Sequence, residues 1–307
     1  MEKIIDRVDR DLIMNELTPE RLLRRANKGD NELYVVDAFN APNTMREIGR
    51  QREIAFRDAG GGTGLSYDID EFDTMEVPCR QLIVWDPKDK EIAGGYRFIL
   101  GEDIRIVEGI PNIATSHMFN FSEKFLNELL PSTLELGRSF VSLNYQSTKS
   151  NPKAIYVLDN LWDGLGALTV IYPQIKYLFG KVTMYPAYGK ECRDILLGFL
   201  HKYFYDTENL VSPIEALQTN ATSKEIQSIF TGENFKEDYK ILNQTIRSHG
   251  QNIPPLVNAY MSLSPTMKVF GTAVNHEFGE VEETGIFFKI SEIFEEKKRR
   301  HIHSFMA

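Results

Sequence analysis

Two charges stand inside an otherwise apolar run at residues 134–146, LELGRSFVSLNYQ: Glu135 and Arg138. A carboxylate so placed can take a proton from an attacking nucleophile, and a guanidinium can grip a carboxylate with two parallel hydrogen bonds. Burying either without a partner is costly, so each needs a counter-charge or a task. Strand alternation puts Leu134, Leu136, Arg138 and Phe140 on one face and Glu135, Gly137, Ser139 and Val141 on the other, so the two charges are expected to point in opposite directions. For either residue alone, a salt bridge pinning the strand to its neighbours is an equally good reading. Further upstream, Arg52 falls within the inward stripe Met45, Ile48, Ala55 and Phe56 of a helix over 43–58, an unusual place for a surface arginine. Asp70 and Asp73, in the acidic run at 67–73, are the expected partners for inward arginines, and Arg97 follows the glycine pair Gly94-Gly95.

The elements that must position these residues follow from periodicity. Residues 1–17 carry Ile4, Ile5, Val8, Leu12 and Ile13 at helical spacing, and Thr18-Pro19-Glu20 starts a short helix through Ala26. A strand is expected at 32–38. A glycine-rich segment, 59–64, follows the Arg52 helix; it has no strand before it and no GK[ST] after it, so it reads as a mobile loop or lid and not as a phosphate cradle. Arg80–Asp86 and Glu91–Leu100 alternate and form a hairpin, with Gly94 and Gly95 marking a bulge or a close backbone approach. Ser122 caps a short helix, the Glu135 strand follows, and Ile155, Leu158, Leu161, Trp162, Leu165 and Leu168 define a long helix. A strand at 177–185, a helix at 191–204, a helical insertion over 206–262 and two strands at 267–278 and 285–290 complete the chain. The division expected is N-terminal helices over 1–31, a core over 32–205, the insertion, and closing strands with a basic tail over 263–307, all in one domain. The tail, Lys297-Lys-Arg-Arg-His301, reads as a frayed solvated end.

Composition narrows the class. The 307 residues are 42% apolar, enough for a full core, and the formal charge of −9 excludes a general nucleic-acid binder. Cys79 and Cys192 lack metal-ligand or disulfide spacing, so no metal is expected and a reducing, cytoplasmic setting fits. The most apolar stretch, 165–179, is interrupted by Pro173, Gln174 and Lys176, so no membrane span is expected. No Gly-x-Ser-x-Gly or Cys/His pattern offers a protein nucleophile.

In this order the motifs R-x-x-x-F (Arg52, Phe56), D-x-F-D (Asp70, Phe72, Asp73), G-x-Y-R-like at 94–97, and E-L-G-R-S (Glu135, Arg138, Ser139) resemble those of the acyl-carrier-protein-dependent N-acyltransferases of the GNAT-like superfamily. That group includes the acyl-homoserine lactone synthases and the ornithine and glycine aminolipid N-acyltransferases, often labelled hemolysin-like; the glycine type is the closer likeness. The chain departs from the lactone synthases in having glycines where they carry a tryptophan. It also lacks the Gln/Arg-x-x-Gly-x-Gly/Ala loop of CoA users, having Tyr145-Gln-Ser-Thr-Lys149 there, which favours a carrier protein as donor.

The resemblance implies an α/β (α+β) fold, with a mixed central sheet flanked by helices and a helical insertion before the last two strands. It implies transfer of a long-chain fatty acyl group, with or without a 3-hydroxyl, from acyl carrier protein to the amine of glycine or ornithine, the first step of bacterial aminolipid synthesis. The amine attacks the thioester directly. No cofactor is held permanently, and the acyl-phosphopantetheine of the carrier is the donor. Glu135 and Arg138 would be catalytic, with Glu135 the base. Arg52, Phe56, Asp70, Asp73 and Arg97 would bind the acceptor, and Ser139, Val141, Lys149 and Lys153 the thioester and phosphopantetheine. An apolar tunnel beside the central strand would take the acyl chain. A basic patch of Lys149, Lys153, Lys190 and Arg193 would dock the carrier, and the lipid product gives reason for peripheral contact at the inner face of the membrane. The alternatives are a catalytically silent scaffold on the same fold and a CoA-dependent N-acetyltransferase.

Overall fold

The computed structural model describes residues 1–146 and 153–306; Lys149 therefore lies outside the described residues. Eight strands form one mixed sheet: β1 (Leu22–Arg25), β2 (Glu32–Val36), β3 (Arg80–Asp86), β4 (Glu91–Leu100), β5 (Thr133–Val141), β6 (Tyr177–Met184), β7 (Lys268–Asn275) and β8 (Val281–Lys289). Their order is β1-β2-β3-β4-β5-β6-β8-β7. All neighbours are antiparallel except β5 and β6, which run parallel and are joined by the long helix α4 (Ala154–Ile171), as a parallel pair requires. This is the α/β fold expected, with helices on both sides of a mixed sheet.

On one face, α4 and α5 (Lys190–Phe204) bury Val157, Leu161, Leu165, Ile195, Leu196 and Phe199 against Leu82, Tyr96, Phe98, Leu134 and Leu136. Each such side chain contributes roughly 1.5–3 kcal/mol by leaving water. The opposite face carries two separate apolar clusters. One joins α2 (Pro42–Asp58) and the short α1 (Arg10–Glu16) to Ile83, Trp85 and Phe140. The other gathers Phe72, Ile99, Phe125, Phe179 and Phe287.

Several elements differ from the sequence reading. Residues 1–9 are not helical; they lie along the 64–66 segment, Glu2 N–H donating to the Gly64 carbonyl and Ile5 N–H to that of Ser66. After Thr18 a single turn, Pro19–Arg21, gives way to β1, an edge strand where a helix was expected, because pairing with β2 outweighs weak local preference. The insertion is not purely helical. Its Val211–Pro213 pairs with Phe119–Phe121, and flanking residues cover the outer edge of β7. The last strand begins at Val281, ahead of the expected 285.

The basic tail is docked on α4. His301 is buried and bonded to Asp163 at 2.8 Å, Arg300 pairs with Asp159, and Gly166 leaves room for the His301 carbonyl, which a Cβ there would meet at 2.1 Å. Among the described residues, no helix is long and apolar enough to cross a membrane.

Candidate active site

Antiparallel β4 and β5 lose register opposite Tyr96, where Gly95 pairs with Phe140 but Arg97 pairs with Gly137. Arg138 and Ser139 thus face one residue, and Arg138 takes φ +49°, a left-handed conformation costly for any residue but glycine. The bulge overturns simple alternation. Phe140 leaves the face of Leu134 and Leu136 and packs with Trp85 and Ile92, and Arg138 turns to the side that carries Glu135 and Arg97. Both charges therefore look the same way. Gly94 and Gly95 do mark a close approach: a Cβ on Gly94 would sit 2.7 Å from the Phe140 carbonyl.

The charged set lies where the two apolar clusters of that face meet. Arg52, fully buried, donates Nη1 to Asp73 at 3.2 Å and Nη2 to Gln81, whose own amide donates to Asp73 at 2.8 Å. Arg97 Nη1 donates to both oxygens of Asp70 at 2.6 Å. Asp70 and Asp73 form a reciprocal capping box on the one-turn helix α3 (Glu71–Thr74), so both carboxylates cap backbone and hold arginine at once. Arg138 Nε lies 3.0 Å from Asp68, its Nη2 3.5 Å from Asp70, and its guanidinium stacks 4.4 Å over the Phe278 ring. The expected partners are thus present. The sequence reading missed Asp68, though it stands in the same acidic run.

Burial drives the Asp70 carboxyl upward, but Arg97 and Arg138 outweigh it and bring it down to about 2. A carboxylate depressed in the folded state stabilises the fold above its unfolded value and loses that contribution as pH falls through the folded one. Replacing Asp70 by Asn should therefore lower stability near neutral pH by about 2 kcal/mol, with the difference vanishing between roughly pH 4 and pH 2. Urea titrations across that range test this; a difference that persisted at pH 2 would contradict it.

Pairing of β5 with β6 stops at Leu136–Gly180, and beyond that point the strands part. A cavity of about 440 Å³ fills the gap, within the range of small-ligand pockets. It passes from one face of the sheet to the other. On the side of the charged set its wall includes Phe56, Arg138, Lys181, Thr183, Tyr185, Phe278 and Glu283; on the other it is formed by Trp162, Leu178, Met184, Leu256, Tyr260, Ile286 and Phe288. Trp162 meets Tyr260 edge-on, and Tyr260 and Phe288 close the apolar end. Gly137, Arg138 and Ser139 of the bulge all line the cavity. Val141 does not; it pairs with Gly94 further along β5.

Glu135 is buried and is not among the residues that line the cavity; it accepts from the Thr115 hydroxyl at 2.8 Å. Burial raises its carboxyl, and Arg97 and Thr115 only partly offset this. The cavity itself presents a different carboxylate, Glu283 of β8, bonded to Lys181 at 2.5 Å, Thr183 at 3.1 Å and Asn275 at 2.9 Å. Glu283 stands beside Glu282 in the strand at 281–289, and nothing in the sequence distinguishes the two; only the sheet order places Glu283 across from β5.

Other expectations are corrected. The glycine segment is not a free lid. Buried Glu53 accepts from Thr63 N–H, Thr63 hydroxyl and Gly64 N–H, and Gly61 packs so closely on Tyr185 and Val281 that a Cβ would meet them at 3.0 and 3.1 Å. Lys153 pairs with Asp86 at 2.5 Å and Asp89 at 2.9 Å on the β3–β4 turn, away from the cavity. Arg193 is buried between Asp194 and Glu282, which removes it from any surface patch, whereas Lys190 is exposed.

The description of an acetyltransferase (GNAT) domain matches residues 51–153, from α2 to the start of α4. Over the full 307 residues the chain is 60% identical to a protein of Bacteroides thetaiotaomicron, covering 91% of it, and 56% identical to one of Phocaeicola vulgatus, covering 94% of it. Both relatives carry the name glycine N(alpha)-acyltransferase. No solved structure gives a significant match.

Proposed function

The chain belongs to the GNAT superfamily of N-acyltransferases, and within it we propose that this acyltransferase moves a long-chain acyl group, with or without a 3-hydroxyl, from acyl carrier protein to the amine of glycine. The observation that carries this reading is the cavity between β5 and β6, hydrocarbon-lined at one end and bordered by Arg138, Lys181 and Glu283 at the other. The apolar end suits an acyl chain, the charged end a small zwitterion. The thioester carbonyl then lies at the bulge, where backbone N–H groups of Gly137 to Ser139 meet the negative charge that develops on its oxygen. The neutral amine attacks that carbon, the C–N bond forms, and the C–S bond breaks to release the carrier thiolate, which takes up a proton.

The names of both relatives support glycine as acceptor. Support for a carrier protein over CoA comes from the missing pyrophosphate loop at 145–149. The product would be an N-acyl amino acid, the first intermediate of an aminolipid, made by a cytoplasmic enzyme with peripheral membrane contact. Arg138 is assigned to the glycine carboxylate, with Arg97, Arg52, Asp70 and Asp73 as its fixed support. Glu135 is assigned as proton acceptor, working through an intervening water. Its raised pKa suits that task, since a base is most effective when its pKa approaches the working pH.

Purified protein given acyl carrier thioester and glycine should yield N-acylglycine by mass spectrometry, and the same acyl group on CoA should react much more slowly. In the wild type, kcat/KM should rise with pH through a limb above the ordinary glutamate value of about 4.3, because Glu135 works only when ionised. Glu135→Gln should lose about a hundredfold in rate and that limb with it. Equal rates with CoA would assign the donor to CoA instead, and an unchanged pH profile in Glu135→Gln would remove Glu135 as base.

A further inference from the structure

At the polar end of the cavity, Arg138 and Glu283 each keep hydrogen-bonding capacity that the other described residues leave unused. Arg138 directs Nε and Nη2 to Asp68 and Asp70, and among the described residues its Nη1 has no acceptor. A carboxylate offers about four acceptor positions. On Glu283, Lys181 and Asn275 fill Oε2, while Oε1 receives only Thr183, so among the described residues one lone pair of Oε1 has no donor. Glu283 is 3% exposed, and both residues border the same cavity. They are close enough that Arg138 helps keep Glu283 ionised.

A zwitterionic amino acid carries complementary groups at its two ends. We propose that Glu283 is the acceptor-positioning residue of this enzyme: its Oε1 takes a hydrogen bond from the α-ammonium while Arg138 holds the α-carboxylate, a role that rests on the acceptor reading above. Lys181 is the permanent counter-ion that keeps Glu283 charged within an apolar sheet. Thr183 and Asn275 fix the carboxylate plane, so the acceptor nitrogen is aimed by a group that does not itself need to move. The ring of Phe278, stacked on Arg138 and set 5.0 Å from Phe56, borders the same corner. The discrimination is thus for an amine adjacent to a carboxylate.

An ion pair with only a structural task would make a different prediction, and steady-state kinetics separates the two. With acyl carrier thioester saturating, Glu283→Gln should raise KM for glycine about tenfold or more, the scale of one lost charge-assisted hydrogen bond, and leave KM for the carrier thioester unchanged. Acetate, which keeps the carboxylate and has no donor in place of the ammonium, serves as a competitive probe. Its inhibition constant should be the same in wild type and Glu283→Gln. Glu283→Asp, which keeps the charge on a shorter arm, should fall between the two in KM and confirms that a folded protein is being compared. A KM for glycine within twofold of wild type in Glu283→Gln, or an equal loss of acetate affinity, would overturn the role of Glu283 and leave the acceptor assignment standing. A wild type that makes no N-acylglycine would overturn the acceptor assignment and this inference together.

Discussion

Asp73→Ala is expected to cost about 3–5 kcal/mol of folding stability, the largest single loss foreseen for this protein. Asp73 is completely buried and, among the described residues, is the only carboxylate hydrogen-bonded to Arg52, which is itself completely buried. Removing it leaves a buried guanidinium hydrogen-bonded to a single amide oxygen, from Gln81, with Asp68 as a nearby carboxylate that does not bond it. It also removes half of the capping box at 70–73 and the third contact of Arg97, which retains Asp70. The expensive consequence is the stranded charge of Arg52. It follows that Asp73→Ala combined with Arg52→Met should be more stable than Asp73→Ala alone, since the double change removes the orphaned cation along with its lost partner. Urea unfolding of the three proteins decides the matter. A single-variant loss below about 1 kcal/mol, or a double variant less stable than the single, would show that Arg52 is neutralised by something other than Asp73.

Arg138→Ala carries the largest expected loss of activity: kcat/KM for glycine should fall by roughly a hundredfold or more, the kinetic equivalent of about 3 kcal/mol for a buried charge pair truncated on one side. Arg138 is also the residue in the left-handed conformation at the β5 bulge, and comparison with Arg138→Gly separates its two duties. Both substitutions remove the guanidinium from Asp68 and Phe278, so both should lose activity equally. They differ in the backbone: alanine keeps the steric cost of φ +49°, whereas glycine relieves it, and the glycine variant should be more stable by about 1 kcal/mol. Equal stability of the two would mean that the bulge is not strained; retained activity in either would move the acceptor carboxylate to another cation. Lys181 would then be the first to consider, since it borders the same cavity.

The wall opposite β5 gives the site its economy of parts. β6 supplies Lys181 and Thr183 and β8 supplies Glu283 at the position paired with Thr183, so a cation, a hydroxyl and a carboxylate converge on one side of the sheet from two hydrogen-bonded strands. None of these is placed by a loop. The acceptor end is therefore expected to be rigid, while the apolar end, closed by Leu256 and Tyr260 of the helix Pro255–Met261, is built from the insertion and can differ between relatives of different chain-length preference.

The sequence alone determined the elements that bear charges against their local environment. Arg52 falls on the inward stripe of a helix, Asp70 and Asp73 stand at capping spacing, and Arg97 and Glu135 sit within apolar alternation. The misfit of each is visible because helix and strand periods are local properties of the chain. The same local signals gave the hairpin of β3 and β4, the long helix after β5, and the close approach at Gly94 and Gly95. Only the tertiary structure decided where the charges point and what they enclose. A one-residue bulge reverses every side chain beyond it, and nothing within the segment 134–146 marks it, because the bulge arises from pairing with β4, which lies beyond the intervening residues 101–132. The tail at 297–301 reads as solvated from its polar composition, and 22–25 as helix from the start signal at 18–20; in both, a long-range partner, α4 or β2, supplies the contacts that fix the segment. Glu283 is the extreme case. Its neighbours in the chain are ordinary strand residues, and its place beside Lys181 and Arg138 exists only because β8 pairs with β6 where β6 has already parted from β5.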